Sequence, residues 1–138
     1  MTVLRWTKTL SVGVEALDRQ HQHLIALLNR LRDVIHGPDE IAVVGNVLEE
    51  LVSYVGYHFA EEERLMAEAG YPHFELHRNS HAEIAKTVGD MLRTYQADPN
   101  SLAAGELHEY LTDWVILHIG NEDIRYRAWL EKVVAVTA

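Results

Sequence analysis

The sequence predicts an all-α protein, an up-down-up-down antiparallel four-helix bundle with an N-terminal arm. Four stretches of good helix formers repeat their apolar residues in steps of three and four, and no run shows the alternation of a strand. Clusters rich in Gly, Pro, Asp and Asn separate these stretches at residues 36–39, 69–72, 97–101 and 120–121. Four amphipathic helices joined by short turns favour antiparallel packing.

The chain length of 138 residues predicts one domain over residues 1–138, since it leaves no room for a second core. We expect an arm over residues 1–16 and a C-terminal segment over 121–138. Between them we expect helices at about 17–36, 40–69, 73–96 and 102–120. Asp18 is a candidate N-cap of the first helix.

Composition and charge exclude several classes of function. The net charge of −9 repels nucleic-acid phosphates and anionic lipids, so neither nucleic acid nor a membrane is an expected partner. The absence of cysteine excludes disulfides, thiolate metal sites and cysteine nucleophiles. No stretch has the apolar length of a signal peptide or a membrane span, so we expect a cytoplasmic protein. Protein partners are not identified by any motif.

Each predicted helix carries one apolar stripe, and histidines interrupt these stripes. The first stripe contains Leu17, His21, Leu24, Leu28, Leu31 and Ile35. The second contains Val44, Leu48, Leu51, Val55, His58, Glu62, Leu65 and Ala69. The third contains Phe74, His77, His81, Ile84, Val88, Met91 and Tyr95, and the fourth Ala104, Leu107, Leu111, Trp114 and His118. Stripe positions face the bundle interior, so five histidines and one glutamate are expected there.

Five histidines on core positions indicate a metal site. One such histidine is usually a satisfied core residue, but five imidazoles and a carboxylate could not all find partners in one small core. Each unsatisfied buried polar group costs about 1–3 kcal/mol, and a metal ion supplies the missing partner. The i, i+4 pairs His58/Glu62 and His77/His81 each converge on one point. The other four histidines are expected at the surface, at its boundary or in turns: His23, His36, His73 and His108.

Several short motifs follow one another along nearly the whole chain. They are Trp6, Val12-Gly13-Val14, Asp18-Arg19-Gln20-His21, His58-Phe59 with Glu62-Glu63 and Met66, Tyr71-Pro72 before His77 and His81, and Trp114 with His118-Ile119 and Asp123. In these motifs and their order the sequence resembles the hemerythrins, in particular their single-domain bacterial members.

The resemblance implies reversible binding of dioxygen at a non-haem centre of two iron ions, in an oxygen carrier, store or sensor rather than an enzyme. It assigns three histidines to one iron, two to the other, and two carboxylates that each bridge both irons. A hydroxide or oxide is the third bridge, and this donor count leaves one position vacant for dioxygen. The implied iron ligands are His77, His81 and His118, then His21 and His58, with Glu62 and Asp123 as bridges.

The same resemblance implies an apolar wall around the dioxygen, which keeps water and protons away. Trp114, Val115 and Ile119 lie within about one helical turn of His118 and are the expected wall residues.

The seventh ligand does not fit a regular helix. Asp123 lies five residues after His118 and, at about 100° per residue, would point away from that histidine. Glu122, four residues after it, fits better. The resemblance nevertheless implies Asp123, because the family spacing is five and because Gly120-Asn121 can loosen the last turn or admit a π-type widening.

Three alternatives remain open. A carboxylate-bridged di-iron enzyme (oxidase, peroxidase or nitric oxide handling) or iron-storage bundle of the ferritin type needs Glu-x-x-His on each of two helices, and no glutamate here precedes a histidine at that spacing. A zinc hydrolase site usually takes four ligands, whereas seven are expected here. A metal-free interaction bundle would leave buried imidazoles without partners.

Overall fold

The structure, a computed structural model, describes residues 6–7, 15–114, 118, 125–127 and 129, the side chain of Ala16 excepted. The described chain is helical and contains no strand, which confirms the predicted all-α class. The four long helices are α1 (Glu15–Asp33), α2 (Glu40–Glu68), α3 (Phe74–Ala97) and α4 (Ala104–Trp114). None of these described helices combines the length and apolar character that crossing a membrane requires.

The helices form a bundle in which α2 packs along both α1 and α3, and α1 packs along α4 as well. Short turns at residues 34–39, 69–73 and 98–103 reverse the chain between them. Residues of the apolar stripes fill a large core cluster that extends from Leu24 on α1 to Trp114 on α4. A smaller cluster at the other end contains Leu17, Met66, Tyr71 and Tyr126. The buried histidines other than His108 lie in a layer between these two clusters.

The ends of α1 and α2 are fixed by tight turns. After Asp33 the backbone forms short-range hydrogen bonds, including Gly37 N–H to the Val34 carbonyl at 2.9 Å, and His36 adopts a left-handed φ of 60°. At the end of α2, Gly70 has a φ of 66°, and the amide of Tyr71 donates to the Met66 carbonyl at 3.0 Å. This Schellman arrangement places the Tyr71 ring in the smaller core cluster.

Two expectations from the sequence were wrong. Asp18 is not an N-cap, because α1 already includes Glu15 and Asp18 lies inside the helix. His108 is not at the surface or its boundary, since only 4% of it is exposed. The apolar stripe of a bundle helix is wide enough to include the position next to Leu107, and α4 packs against α1. His23, His36 and His73 are exposed.

Candidate metal centre

Six of the seven expected iron ligands belong to the described residues, and the structure brings them together in the interior. Each is at most 4% exposed. One comes from α1, two from α2, two from α3 and one from the chain beyond α4. They are His21, His58, Glu62, His77, His81 and His118. The seventh, Asp123, lies outside the described residues, as does Glu122.

The carboxylate of Glu62 lies at the centre of this group, and its Oε2 atom faces the first two histidines. His58 Nε2 is 3.1 Å from Oε2, and His21 Nε2 is 3.5 Å from it. His58 and Glu62 are four residues apart on α2, so both point to the same side of the helix. The α1–α2 contact adds His21 from the neighbouring helix.

The other carboxylate oxygen, Oε1 of Glu62, faces the remaining three histidines. Its distances to the Nε2 atoms are 2.8 Å for His77, 3.3 Å for His81 and 4.0 Å for His118. The Nε2 atoms of His81 and His118 are 3.1 Å apart. Two nitrogens bound about 2.1 Å from one metal at adjacent octahedral positions would lie about 3.0 Å apart, so this spacing suits a shared ion.

The hydrogen bonds at Nδ1 of two of the histidine rings show that this donor set fits a metal ion. His58 Nδ1 lies 2.5 Å from the amide oxygen of Gln20, and His81 Nδ1 lies 3.1 Å from a carboxylate oxygen of Glu63. Since both partners are acceptors, each Nδ1 donates a proton, which leaves Nε2 as the ring nitrogen that can bind a cation beside Glu62.

Glu62 is ionised in this setting. Burial by itself raises the pKa of its carboxyl group, but the surrounding histidine rings hold the pKa well below its ordinary value. A fully buried negative charge at the meeting point of two histidine groups is suited to binding two cations, one through each oxygen.

Aromatic rings surround the donors. The Phe59 ring stacks on His81, with ring centroids 3.8 Å apart and planes 1° apart. Trp114, one of the expected pocket residues, is buried, and its ring centroid lies 5.9 Å from that of Phe59 and 6.4 Å from that of His118. Val115 and Ile119 lie outside the described residues. Phe59 therefore lies with Trp114 beside the donors, although the sequence stripes did not predict it.

Two of the described residues beyond α4, His118 and Tyr126, lie next to the centre. The backbone at His118 is π-helical, which is wider than an α-helix. Tyr126 is fully buried, and its ring centroid lies 5.8 Å from that of His77. Trp129 Nε1 donates a 2.7 Å hydrogen bond to the carbonyl of Ala69 at the end of α2.

A surface cavity of about 340 Å³ reaches the centre at one ligand. Its lining consists of Tyr71, His73, Leu76, His77 and Arg125. His77 is itself part of the buried donor group, so this cavity borders the centre at that ligand.

Comparison with known proteins agrees with this geometry. The family model "Hemerythrin HHE cation binding domain" matches residues 12–130. A bacteriohemerythrin of Stenotrophomonas maltophilia (strain R551-3) is 36% identical over 126 residues, which cover 91% of this chain and 80% of that protein. A bacteriohemerythrin of Pseudomonas aeruginosa (strain LESB58) is 34% identical with the same coverage. The crystal structure of a wild-type hemerythrin superimposes with a TM-score of 0.83 at 25% identity, covering 94% of this chain and 98% of that one.

Proposed function

This chain belongs to the hemerythrin family, and we propose that it binds dioxygen reversibly at a centre of two iron ions in the bundle interior. One observation carries the proposal: the two oxygens of Glu62 face separate groups of histidines, two on one side and three on the other. This is the arrangement expected of a carboxylate that binds one metal ion through each oxygen.

The same distances support a division of the donors between the two irons. The iron next to Oε1 would be held by three imidazoles and the iron next to Oε2 by two. The proposed ligands are His77, His81 and His118 for the first iron, His21 and His58 for the second, and Glu62 for both.

We propose Asp123 as the second bridging carboxylate. It lies between two described residues that both contact His77, namely His118 at a ring distance of 4.8 Å and Tyr126 at 5.8 Å. The residues between them in the sequence are therefore the candidates for a second bridging carboxylate. The backbone at His118 is π-helical, and a π-type turn contains one extra residue. With this extra residue, the fifth residue after His118 would take the place that the fourth has in a regular α-helix.

Two ferrous ions held by these donors would supply the open coordination position and the electrons that dioxygen binding needs. The chain itself holds the donors, which are at most 4% exposed, and keeps bulk water away. Phe59 and Trp114, together with Val115 and Ile119, form the proposed wall of the dioxygen pocket. Because an apolar wall withholds protons from bound dioxygen, we assign the protein a non-enzymatic role as a cytoplasmic carrier, store or sensor.

The test combines iron content with visible spectra. Purified protein loaded with iron should contain two irons per chain by elemental analysis. A visible absorption band should appear when the reduced protein is moved from argon to air and disappear again under argon. Glu62→Gln should lose most of the iron, because an amide has one oxygen and no negative charge with which to bind two cations.

Glu61→Gln is the matched control. It removes the same charge one residue away on α2, where Glu61 pairs with Arg64 at the surface, and it should keep both irons. One iron or none in the unsubstituted protein, or a band that does not respond to oxygen, would overturn the proposed function.

A further inference from the structure

Two of the proposed ligands, one from each half of the centre, are held in the same way. His58 has an acceptor at Nδ1, the amide oxygen of Gln20 at 2.5 Å, and an aromatic ring on its face, Tyr54, at 5.2 Å and 12°. The Tyr54 hydroxyl also donates to the backbone carbonyl of Gln20 at 2.5 Å. This clamp fixes the orientation of the His58 ring between α1 and α2.

In the other half, His81 has an equivalent clamp formed by α2. The carboxylate of Glu63 accepts from Nδ1 at 3.1 Å, and Phe59 stacks on the ring face. Both acceptors are sequence neighbours of proposed ligands, since Gln20 precedes His21 and Glu63 follows Glu62. The main chemical difference between the two clamps is the charge of the acceptor.

We propose that Glu63 and Gln20 are positioning residues that make the two iron sites unequal: Glu63 strengthens His81 as a donor, whereas Gln20 orients His58 without adding charge. This inference rests on the proposed function. Its consequence is that the iron held by three histidines is the one whose ferric state is more strongly stabilised.

The physical basis is the strength of the hydrogen bond at Nδ1. A bond from imidazole to a carboxylate is charge-assisted and stronger than a bond to a neutral amide. It draws the Nδ1 proton away from the ring and raises the electron density at Nε2, which binds the metal. A negative charge beside one iron also favours the more positive oxidation state of that iron.

The position of Glu63 supports this role. Its side chain is 24% exposed and His81 is 1% exposed, so the carboxylate stays hydrated on one side while the bond to the ring is shielded. It lines a groove between α2 and α3 together with Arg78 and Ala82. Partial hydration removes much of the cost of placing a second negative charge next to Glu62.

The experiment compares the iron-loaded protein with E63Q, Q20E and the control E61Q. Spectroelectrochemistry gives the midpoint potential, and ⁵⁷Fe Mössbauer spectra resolve the two irons. In E63Q we expect the ferric-to-ferrous ratio at a fixed potential to fall on the order of tenfold, which is about 59 mV for one electron. In Q20E we expect a shift in the opposite direction, and in E61Q little change.

The Mössbauer signal of one iron should move in E63Q and that of the other iron in Q20E. Equal potentials in all four proteins, or an E61Q shift as large as that of E63Q, would overturn the inference while leaving two irons and the oxygen-dependent band intact. Failure of the proposed function would be visible earlier, as missing iron in the unsubstituted protein. If E63Q folds poorly, Q20E still tests the inference, because it adds a negative charge at the acceptor of His58 instead of removing the one at the acceptor of His81.

Discussion

At the scale of single residues, Glu62 and His108 show two ways in which a buried polar side chain behaves in this bundle. Glu62 is surrounded by imidazole nitrogens and is held ionised by them. His108 is also buried, but its Nε2 atom has no hydrogen-bond partner among the described residues. The first side chain is suited to a metal ion, and the second lowers stability without an evident function.

His108 should make the bundle less stable in acid. Burial lowers the pKa of its imidazole, and the nearby positive charge of Arg32 adds to this effect. The unfolded chain, with a histidine pKa of about 6.5, then binds the proton more readily than the folded one, so this contribution to stability is lost as the pH falls below about 6.5. His108→Leu should raise the free energy of unfolding by about 1 kcal/mol at pH 8, because it removes an unsatisfied group.

The gain from His108→Leu should be larger at pH 5 than at pH 8. Urea unfolding of the iron-loaded protein and the variant over this range measures it, since acid-induced loss of iron affects both proteins alike. If the difference in the free energy of unfolding between the variant and the unsubstituted protein stays constant from pH 8 to pH 5, His108 does not contribute to acid sensitivity.

The sequence could predict the ligands that point directly into the centre, but not the residues that orient those ligands by hydrogen bonds. His58 and Glu62 recur at helical spacing with Val55 and Leu51, so their burial follows from the period alone. Gln20 and Glu63 each lie one position, about 100°, away from a ligand, and the stripe gives no reason to select them. Their partners are 38 and 18 residues away, on other helices, and such contacts depend on how helices pack.

At the scale of helices, periodicity predicted the four segments more reliably than their ends. α1 ends at Asp33, whereas the stripe continued to Ile35, because a tight turn with a left-handed His36 precedes Pro38. The turn after α2 is different, since Gly70 marks it directly in the sequence. A helix end that is marked by a glycine with positive φ can be predicted from the sequence. A helix end that depends on local hydrogen bonds of other residues cannot.

The segment that matters most for the centre is the one that follows α4 and contains His118 and Asp123. If the π-type widening at His118 gives Asp123 the bridging position, Asp123→Asn should lose iron or shorten the lifetime of the oxygenated protein, since an amide lacks the charge to bridge two cations. Glu122→Gln should change stability by no more than about 0.5 kcal/mol, as expected of a surface position. Iron content and the decay of the oxygen-dependent band are measured for both variants.

The two variants form a matched pair, because each replaces a carboxylate by the corresponding amide at adjacent positions. Loss of iron from Glu122→Gln with retention in Asp123→Asn would assign the bridge to Glu122. In that case the chain after His118 would keep regular α-helical register.

At the scale of the whole molecule, the metal centre is a structural layer of the bundle. The larger cluster from Leu24 to Trp114 lies on one side of it and the smaller cluster around Met66 and Tyr126 on the other. Ligands of this layer come from α1, α2, α3 and, at His118, from the chain beyond α4, so metal binding links these segments to one another. Without a cation, five imidazoles and a carboxylate would be buried close together, and the two apolar clusters would be separated by an unfavourable polar layer.

Acidification should therefore release iron and loosen the bundle in one transition. Histidines bound to metal cannot take up protons, whereas those of the unfolded chain do so below about pH 6.5, so stability falls as the pH drops through that value. Helicity by circular dichroism and iron release by chelator absorbance should show the same midpoint. His36→Asn is the control, because it removes an exposed histidine at a left-handed position that asparagine also adopts, and it should leave the midpoint unchanged. A metal-free protein with the same melting temperature as the iron-loaded one would contradict this coupling, because it would show that the histidine layer is satisfied without the metal.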